Sequence, residues 1–358
     1  MVFSGNQARC GNSSGAYNRC VTLQPIPKKK RETKKTTRRK SSRKLYKYLP
    51  PDVFTRMFRG RAGQVALKCN FPKNYNDPFE LFLSLNGQTS DDEVIAYYQD
   101  ILGEIPQMPI SCFSRRPDIV PTWAHYGREH RGFVVELDEQ KLSDAVTRAY
   151  IADVRYSGTS GTVDLASVEW AATTLKPRHT FFAQSAAFRS AYFTKNRCWS
   201  YELERRLVVD PENVATQDGI MLLHLPQDCV SAIISGTRTT KRELVAHRKL
   251  AGQLGCRHYQ LMIGRSTCKP YFVGTGAAAF CFSNRAIRPA EFVCGSCSEP
   301  IASDADECSW CAVDDNMRAD AAMKNPLRML HRFGIESGYG FAFAGLRQIG
   351  TKTTSRSV

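Results

Sequence analysis

Short apolar stretches recur along the chain and alternate with polar or glycine-containing segments. Five of them predict β-strands, at residues 110–113, 132–138, 220–225, 230–235 and 259–263. Two longer segments, 140–154 and 239–254, have the apolar spacing of helices, and Gly255 provides a stop for the second. Short strands mixed with helices predict an α+β fold, with a mixed sheet and flanking helices.

The segment from residue 110 to 138 carries the densest group of ring-bearing and hydroxyl side chains. The first predicted strand ends at Ser114, and a short segment with Trp123, His125, Tyr126 and His130 leads into the second. Such groups are costly to bury without partners, so their clustering at strand ends favours a binding pocket. The alternative is a hydrogen-bonded polar layer beneath a loop.

Charge is distributed unevenly over the 358 residues, whose net charge is +16. Residues 28–44 contain eleven Lys or Arg and one acid, Glu32, and have no apolar periodicity. We therefore expect residues 1–44 to form a disordered basic tail that binds nucleic acid. A nuclear-import signal is its eukaryotic variant, and a solvated tail that only maintains solubility is the alternative.

Four of the thirteen cysteines form two C-x-x-C pairs ten residues apart: Cys294 with Cys297, and Cys308 with Cys311. Two such turns can hold one tetrahedral ion, so residues 289–313 are predicted to form a zinc ribbon with structural zinc. A redox dithiol is the alternative for either pair alone. The other cysteines lack ligand spacing; Cys256, His258 and Cys268 form a weaker candidate set. The rest of the C-terminus, 314–358, is expected to be a helical extension and a frayed tail.

No signal-peptide pattern and no apolar run of membrane-spanning length is visible. Thirteen cysteines without a signal peptide favour thiols and metal ligands over disulfides. We expect a cytoplasmic protein with no membrane partner.

A pair of carboxylates follows at Glu202 and Glu204. Between residues 199 and 209 these acids and Arg206 alternate with apolar residues, which predicts a half-buried strand with both acids on one face. On a helix, Glu202 and Arg206 would instead be an i, i+4 ion pair. A salt-bridged surface is therefore the alternative to a site.

Several segments together resemble a known family. They are LYKY at residues 45–48, NDPFE at 76–80, CFS at 112–114, W-x-H-Y-G-x-x-H-x-G at 123–132 and K-x-x-x-W-x-Y-E-x-E-x-R at 195–206. In this order they resemble the bacterial family called domain of unknown function 2971. The resemblance covers roughly residues 45–275 and implies one large domain, which we extend to 45–285. The family name implies no activity.

A second resemblance is to ADP-ribosyltransferases, which carry a basic residue on an early strand, a serine or aromatic residue centrally and a late glutamate motif. Here the order is Tyr46, Lys47 and Tyr48, then Ser114, then Glu202 and Glu204, although position 47 is Lys instead of Arg or His. The resemblance implies NAD as substrate. It also implies that Glu204 is the catalytic carboxylate, with Glu202 its partner.

Further roles follow from the same resemblance. Ser114 would hold the ribose or support Glu204, and Lys47 would neutralise the diphosphate. Tyr46 or Tyr126 would stack on nicotinamide. The remaining predicted substrate-binding residues are Tyr48, Trp123, His125, His130 and Arg206. A fixed carboxylate would stabilise the oxocarbenium-like ribose as the nicotinamide bond breaks.

Two functions from different classes follow. The first is an NAD-consuming ADP-ribosyltransferase-like enzyme, a toxin or defence effector that modifies nucleic acid or a protein acceptor. The alternative is a non-catalytic nucleic-acid-binding module that uses the basic tail and the zinc ribbon. A metal-dependent nuclease ranks third, because E-x-E-x-R lacks the lysine of the usual D…E-x-K arrangement.

Overall fold

The structure is a computed structural model of the chain. It describes residues 43–58, 60–75, 77, 91–103, 105, 107–158, 165–267 and 269–333. Three predicted features lie wholly or largely outside these residues. They are the basic tail up to residue 42, the NDPFE segment except Asp77, and the chain end from residue 334.

The helices and strands in the described residues follow one another in a mixed order. The helices are α1 Phe54–Phe58, α2 Asp92–Gly103, α3 Val120–Tyr126, α4 Glu139–Ala145, α5 Leu165–Thr174, α6 Pro177–Phe193, α7 Lys241–Leu254, α8 Asp315–Met323 and α9 Pro326–Arg332. The first nine strands are β1 Lys44–Leu49, β2 Gln64–Cys69, β3 Ile110–Ser114, β4 Phe133–Asp138, β5 Ala149–Asp153, β6 Arg155–Ser157, β7 Thr194–Asn196, β8 Glu204–Val209 and β9 Val214–Gln217. The others are β10 Ile220–Pro226, β11 Val230–Ser235, β12 Arg257–Ile263, β13 Pro270–Val273, β14 Ala279–Ser283, β15 Ala286–Pro289, β16 Phe292–Val293 and β17 Pro300–Ile301.

Ten strands form the main sheet, in the order β15-β14-β13-β12-β11-β4-β1-β3-β8-β5. Its neighbours are antiparallel except β11 and β12, which are parallel and joined through α7. The described residues also form a three-stranded sheet, β2-β10-β9, and two two-stranded pairs, β6-β7 and β16-β17. The fold is therefore α+β with a mixed sheet, as predicted.

One face of the main sheet packs against the three-stranded sheet and against α1, α4 and α7. Leu45, Val135 and Leu207 of the main sheet meet Leu67 and Leu223 of the smaller one in this core. Because side chains alternate along a strand, the neighbours of these residues point to the opposite face. That opposite face carries Tyr46, Val134 and Val208, which belong to two further apolar clusters.

The opposite face is covered in two parts. Helices α2, α5 and α6 cover β3 and β8, where Ile110 and Val208 are buried. The aromatic cluster over β1, β4 and β11–β13 includes Tyr46 and Tyr259. The ring of Phe282 in β14 lies edge-on to the ring of Tyr46, 5.8 Å between centroids, although four strands separate β14 from β1. The sheet is therefore strongly curled around this cluster.

Two predicted elements differ from the structure at their ends. The helix predicted over 140–154 is wrong beyond Ala145, because the chain turns at Arg148, whose φ is +50°, and continues as β5. The tail predicted over 1–44 overlaps β1, which begins at Lys44. Helix α7 agrees with the prediction, and it has a Thr240–Glu243 capping box and a left-handed Gly255 at its end. No helix in the described ranges is long and apolar enough to cross a membrane.

Candidate functional site

The four C-terminal cysteines come together around one point. Their Sγ atoms all lie within 4.8 Å of one another, and those of Cys297 and Cys308 are 3.8 Å apart. Tetrahedral zinc with bonds of about 2.3 Å holds sulfur atoms about 3.8 Å apart, so the donor set fits. Cys294, Cys297, Cys308 and Cys311 could therefore hold a metal such as zinc.

The cysteine segment is attached to the main sheet at the turn between β12 and β13. The buried carboxylate of Glu299 accepts hydrogen bonds from the backbone N–H groups of Arg265 and Ser266, and from the Ser266 hydroxyl. Trp310 donates its indole N–H to the carbonyl of Arg265 at 2.7 Å. The cysteine segment therefore bonds to both backbone groups of Arg265.

Three predicted site residues lie on neighbouring strands in one row across the main sheet. Tyr46 of β1 is the cross-strand partner of Ser114 of β3, and Ser114 is the partner of Glu204 of β8. Cross-strand partners point to the same face of a sheet. Three motifs far apart in sequence thus meet on the face that carries the aromatic cluster.

Glu204 is buried, and both of its carboxylate oxygens are bound. Arg206 donates Nε to one oxygen at 2.6 Å and Nη2 to the other at 3.2 Å. Lys195 also donates to the second oxygen at 3.2 Å. Burial alone would raise the pKa of Glu204, but Arg206 and Lys195 outweigh it and lower that pKa to about 2. Glu204 is therefore an ionised member of a buried charge network.

Glu202 is buried beside Glu204, in a different electrostatic setting. One oxygen accepts from the Tyr126 hydroxyl at 2.8 Å, and the other accepts from Lys195 at 2.8 Å. Burial raises the pKa of Glu202 above its ordinary value, and the attraction of Lys195 opposes this only in part. Glu202 is thus the more basic of the two carboxylates.

The local backbone places Glu202 differently from the prediction. A strand beginning at residue 199 is wrong, because residues Arg197–Glu202 form a 3-10 helix and β8 begins at Glu204. Leu203 between them is left-handed, with a φ of +47°. The Ser114 hydroxyl donates to the carbonyl of Glu202 at 2.7 Å and so fixes this turn. Both carboxylates still accept a hydrogen bond from Lys195. Glu202 does so from the 3-10 helix and Glu204 from β8, instead of both from one face of a strand.

Trp123 lies inside the fold, and the ring of His130 beside it is partly exposed. Trp123 is fully buried, donates its indole N–H to Pro117 O at 2.7 Å and stacks on the His130 ring. A Cβ at Gly127 would collide with Trp123, and one at Gly132 would collide with the Leu49 carbonyl. The glycines and rings of the W-x-H-Y-G-x-x-H-x-G motif thus shape a close-packed turn. Trp123 has no exposed surface for a ligand, so its predicted substrate role does not fit this geometry. The predicted role of His130 stays a prediction.

The early motif is divided between the two faces of the sheet. Tyr46 donates its hydroxyl to the buried carboxylate of Glu136 at 3.1 Å, and Tyr48 donates to Arg116 O at 2.8 Å. Lys47 points to the other face, where its ammonium donates to Ser111 Oγ and Cys112 O. Burial lowers the pKa of Lys47. The predicted pairing of Lys47 with a diphosphate in the same cleft as Tyr46 does not fit this geometry.

A group of aromatic side chains lies at the surface beside the carboxylates. The rings of His125, Trp199 and Tyr201 form a triangle with centroids 6.2 to 6.4 Å apart. His125 is exposed and the other two rings are partly exposed. The Lys195 ammonium lies 4.8 Å from the centre of the Trp199 ring, which links this aromatic triangle to the buried charges.

Five residues around the carboxylates were not predicted from the sequence: Lys195, Trp199, Tyr201, Glu136 and Tyr156, whose hydroxyl accepts from Glu204 N. The first three belong to the K-x-x-x-W-x-Y-E-x-E-x-R motif, so the motif itself was the available signal. Glu136 and Tyr156 stand in no recognisable pattern. A surface depression lined by Tyr150 and Phe188 contains none of the predicted site residues.

The comparisons with known proteins identify one part of the chain. No curated protein and no solved structure matches it. A sequence model of the family described as "Protein of unknown function (DUF2971)" matches residues 122–207, a stretch that runs from α3 into β8 and contains both carboxylates and Lys195. This match supports the predicted family over that stretch of the chain, and its description gives no activity.

Proposed function

We propose that the chain is an NAD-consuming enzyme of the ADP-ribosyltransferase kind, with its reacting carboxylate at the end of the 3-10 helix before β8. The observation that carries this proposal is the single cross-strand row of Tyr46, Ser114 and Glu204. The resemblance to ADP-ribosyltransferases requires these three motifs to lie together. A buried salt bridge between Glu204 and Arg206 would not require Tyr46 and Ser114 to be nearby. A cluster of carboxylates and aromatic rings supplies the matching chemistry.

The two carboxylates divide the work in this proposal. Glu204 is committed to Arg206 and Lys195, so it positions the ammonium of Lys195 and does not touch substrate. Glu202 acts directly, because its raised pKa makes it the better proton acceptor. This reverses the roles that the sequence assigned to Glu204 and Glu202. Ser114 supports Glu202 through its backbone carbonyl.

NAD would enter from the aromatic triangle. A nicotinamide ring is planar and can stack on Trp199 or Tyr201. A ribose hydroxyl would replace the Tyr126 hydroxyl on Glu202, since both donate the same kind of hydrogen bond. The nicotinamide–ribose bond then breaks, and its electron pair leaves with neutral nicotinamide. The acceptor atom bonds to the ribose carbon and gives its proton to Glu202.

The test is nicotinamide release when the full chain is incubated with NAD and a panel of DNA, RNA and protein acceptors. Glu202→Gln should lower this release at least ~100-fold, because the amide no longer stabilises the ribosyl cation or accepts the proton. Glu212→Gln is the matched control, since that carboxylate is 79% exposed on another loop. Unfolding midpoint and metal content are measured in parallel to show that each variant is folded.

Absence of nicotinamide release from the unaltered chain with every acceptor would overturn the proposal. So would equal release from Glu202→Gln and the control. Tyr126→Phe adds a finer readout, because it removes the hydroxyl that competes with ribose. It should lower KM for NAD and leave kcat within a fewfold.

The alternative, a non-catalytic nucleic-acid-binding module, is favoured by one observation: both oxygens of Glu204 are already bound by cations. In that case the network only stabilises the fold. The zinc ribbon is a poor phosphate contact, because residues 289–313 contain five acids and no Lys or Arg. The basic tail would then supply contacts, and deleting residues 1–41, which stops short of β1, should reduce the salt dependence of nucleic-acid binding.

A further inference from the structure

We propose that the end of the main sheet where β11, β12 and β14 finish is a nucleic-acid-binding surface, built from residues other than the carboxylates and the basic tail. Residues 236–292 carry ten Lys or Arg and only two acids, Glu243 and Glu291. All ten basic side chains are exposed: Arg238, Lys241, Arg242, Arg248, Lys249, Arg257, Arg265, Lys269, Arg285 and Arg288. A segment with this excess attracts polyanions.

The topology brings six of these residues to one end of the sheet. Strands β11 and β12 are parallel and end at Ser235 and Ile263. Strand β13 is antiparallel to β12 and β14 is antiparallel to β13, so β14 also ends on this side, at Ser283. The loops that follow these three strands therefore lie at the same end.

We call the six cations of these loops and of the first turn of α7 the basic edge: Arg238, Lys241, Arg242, Arg265, Lys269 and Arg285. Arg238 lies 3.9 Å from Glu129, a weak exposed pair. Within the described part of the chain, the other five make no ion pair. The nearby Glu243 accepts hydrogen bonds from Thr240 in the capping box. Five exposed cations without acidic partners are available to an anionic ligand.

The ribbon holds the middle of this edge in place. Arg265 has its backbone N–H bound by Glu299 and its carbonyl bound by the indole N–H of Trp310. Its side chain therefore projects from a fixed turn, which lowers the entropy lost on binding. Trp310 is 58% exposed beside it and offers a ring on which a base can stack.

The chemistry of the edge fits nucleic acid better than a lipid surface. Four of its six cations are arginines, whose planar guanidinium groups bind phosphate through two hydrogen bonds. The cations lie on three separate loops and on the first turn of α7, which suits a ligand with several phosphates. An exposed tryptophan next to arginine suits a single strand with accessible bases. We therefore assign a nucleic acid with a single-stranded segment as the ligand.

The test compares two triple variants of the full chain with equal loss of charge. One is Arg265→Gln, Lys269→Gln, Arg285→Gln at the basic edge. The control is Arg318→Gln, Lys324→Gln, Arg328→Gln in the segment that runs from α8 to α9, where all three side chains are exposed. We measure binding to a DNA duplex of arbitrary sequence and to a DNA single strand over a range of salt concentrations. Binding to phosphatidylcholine vesicles that contain phosphatidylserine is measured in parallel.

The edge variant should bind DNA at least tenfold more weakly than the control variant at low salt. For the duplex, the slope of log K against log salt should fall by about 2 to 3, since each lost phosphate contact contributes about 0.9. Equal affinities of the two variants, or no DNA binding by the unaltered chain, would overturn the proposal. A loss of vesicle binding as large as the loss of DNA binding would also overturn it. Nicotinamide release measured without nucleic acid is not expected to change, so this result is independent of the enzymatic proposal.

Discussion

Glu299 and Ser266 are joined by two hydrogen bonds, because one carboxylate oxygen of Glu299 accepts both the backbone N–H of Ser266 at 3.0 Å and its hydroxyl at 2.9 Å. The other oxygen accepts from Arg265 N at 2.9 Å. Glu299 lies between the two cysteine pairs in sequence, and Ser266 lies in the main sheet's β12–β13 turn. The contact therefore attaches the ribbon to the sheet.

Replacing Glu299 by Gln should loosen the ribbon. An amide nitrogen would face backbone N–H donors, and an unsatisfied buried donor costs about 1–3 kcal/mol. We expect faster proteolysis between residues 264 and 269, with metal content unchanged. Glu291→Gln, an exposed neighbour, is the control. Gly264→Ala should have the same effect, because its Cβ would collide with the Glu299 carboxylate. Unchanged cleavage in both variants would contradict the assigned contact.

Metal binding by the four cysteines predicts about one zinc per chain by elemental analysis. Cys308→Ser should abolish that zinc, because a tetrahedral site needs all four thiolates, and it should make residues 289–313 sensitive to protease. Cys198→Ser, which changes an exposed cysteine outside the cluster, should do neither. A zinc-free preparation whose 289–313 segment resists protease would rule out a structural metal.

The buried charge network predicts a large cost for removing one member. Arg206→Met leaves Glu204 buried with only Lys195 as a cationic partner, and breaking such a pair costs about 3–5 kcal/mol of unfolding free energy. Lys141→Gln breaks an exposed pair with Asp228 and should cost less than about 1 kcal/mol. Urea unfolding of both variants measures the difference. Similar midpoints would show that the network contributes little.

Two buried histidines predict acid sensitivity. The Ser235 hydroxyl oxygen lies 2.9 Å from His247 Nδ1 and 3.0 Å from His258 Nε2, and burial lowers the pKa of both imidazoles from 6.5 to about 4. Glu243 partly opposes the shift at His247, and Arg248 adds to that at His258. In the unfolded chain both imidazoles take up a proton near pH 6.5, whereas in the folded chain they do so only near pH 4.

Stability should therefore fall as the pH drops from 6.5 to 4, by roughly 3 kcal/mol for each histidine. Urea unfolding at pH 7 and pH 5 measures the first part of this loss. His247→Gln should reduce the difference between the two pH values, whereas the exposed His125→Gln should leave it unchanged. An equal pH dependence in both variants would exclude the buried pair as the cause.

The sequence predicts those parts of the site that depend on the order of the motifs along the chain and on the spacing of the cysteines. The resemblance to ADP-ribosyltransferases requires the motifs of Tyr46, Ser114 and Glu204 to lie together, and the sheet brings these three residues into one row. The sequence predicts the cysteine cluster from spacing alone. It misplaces the start of β8, since Leu203 is left-handed and a leucine gives no signal for that conformation. The alternation of acids around it therefore resembles a longer strand.

Burial was harder to predict than proximity. The ring of Trp123 predicts a pocket residue, but this ring is fully buried in the core and packs closely against Gly127. Only the assembled fold reveals such approaches. Glu136 is buried beneath Tyr46 because it pairs with that residue across β4 and β1, a register that no local pattern predicts.

The curl that brings Phe282 onto Tyr46 joins residues 236 positions apart in the chain. During synthesis, β1 leaves the ribosome long before β14, so the ring of Tyr46 lacks this cover until nearly the whole domain has been made. Ile287 joins the same cluster still later. The domain therefore depends on contacts of high sequence separation, which slow folding and leave early strands exposed to aggregation or chaperones. A chain that stops before residue 279 would keep the aromatic interior of its sheet open to water.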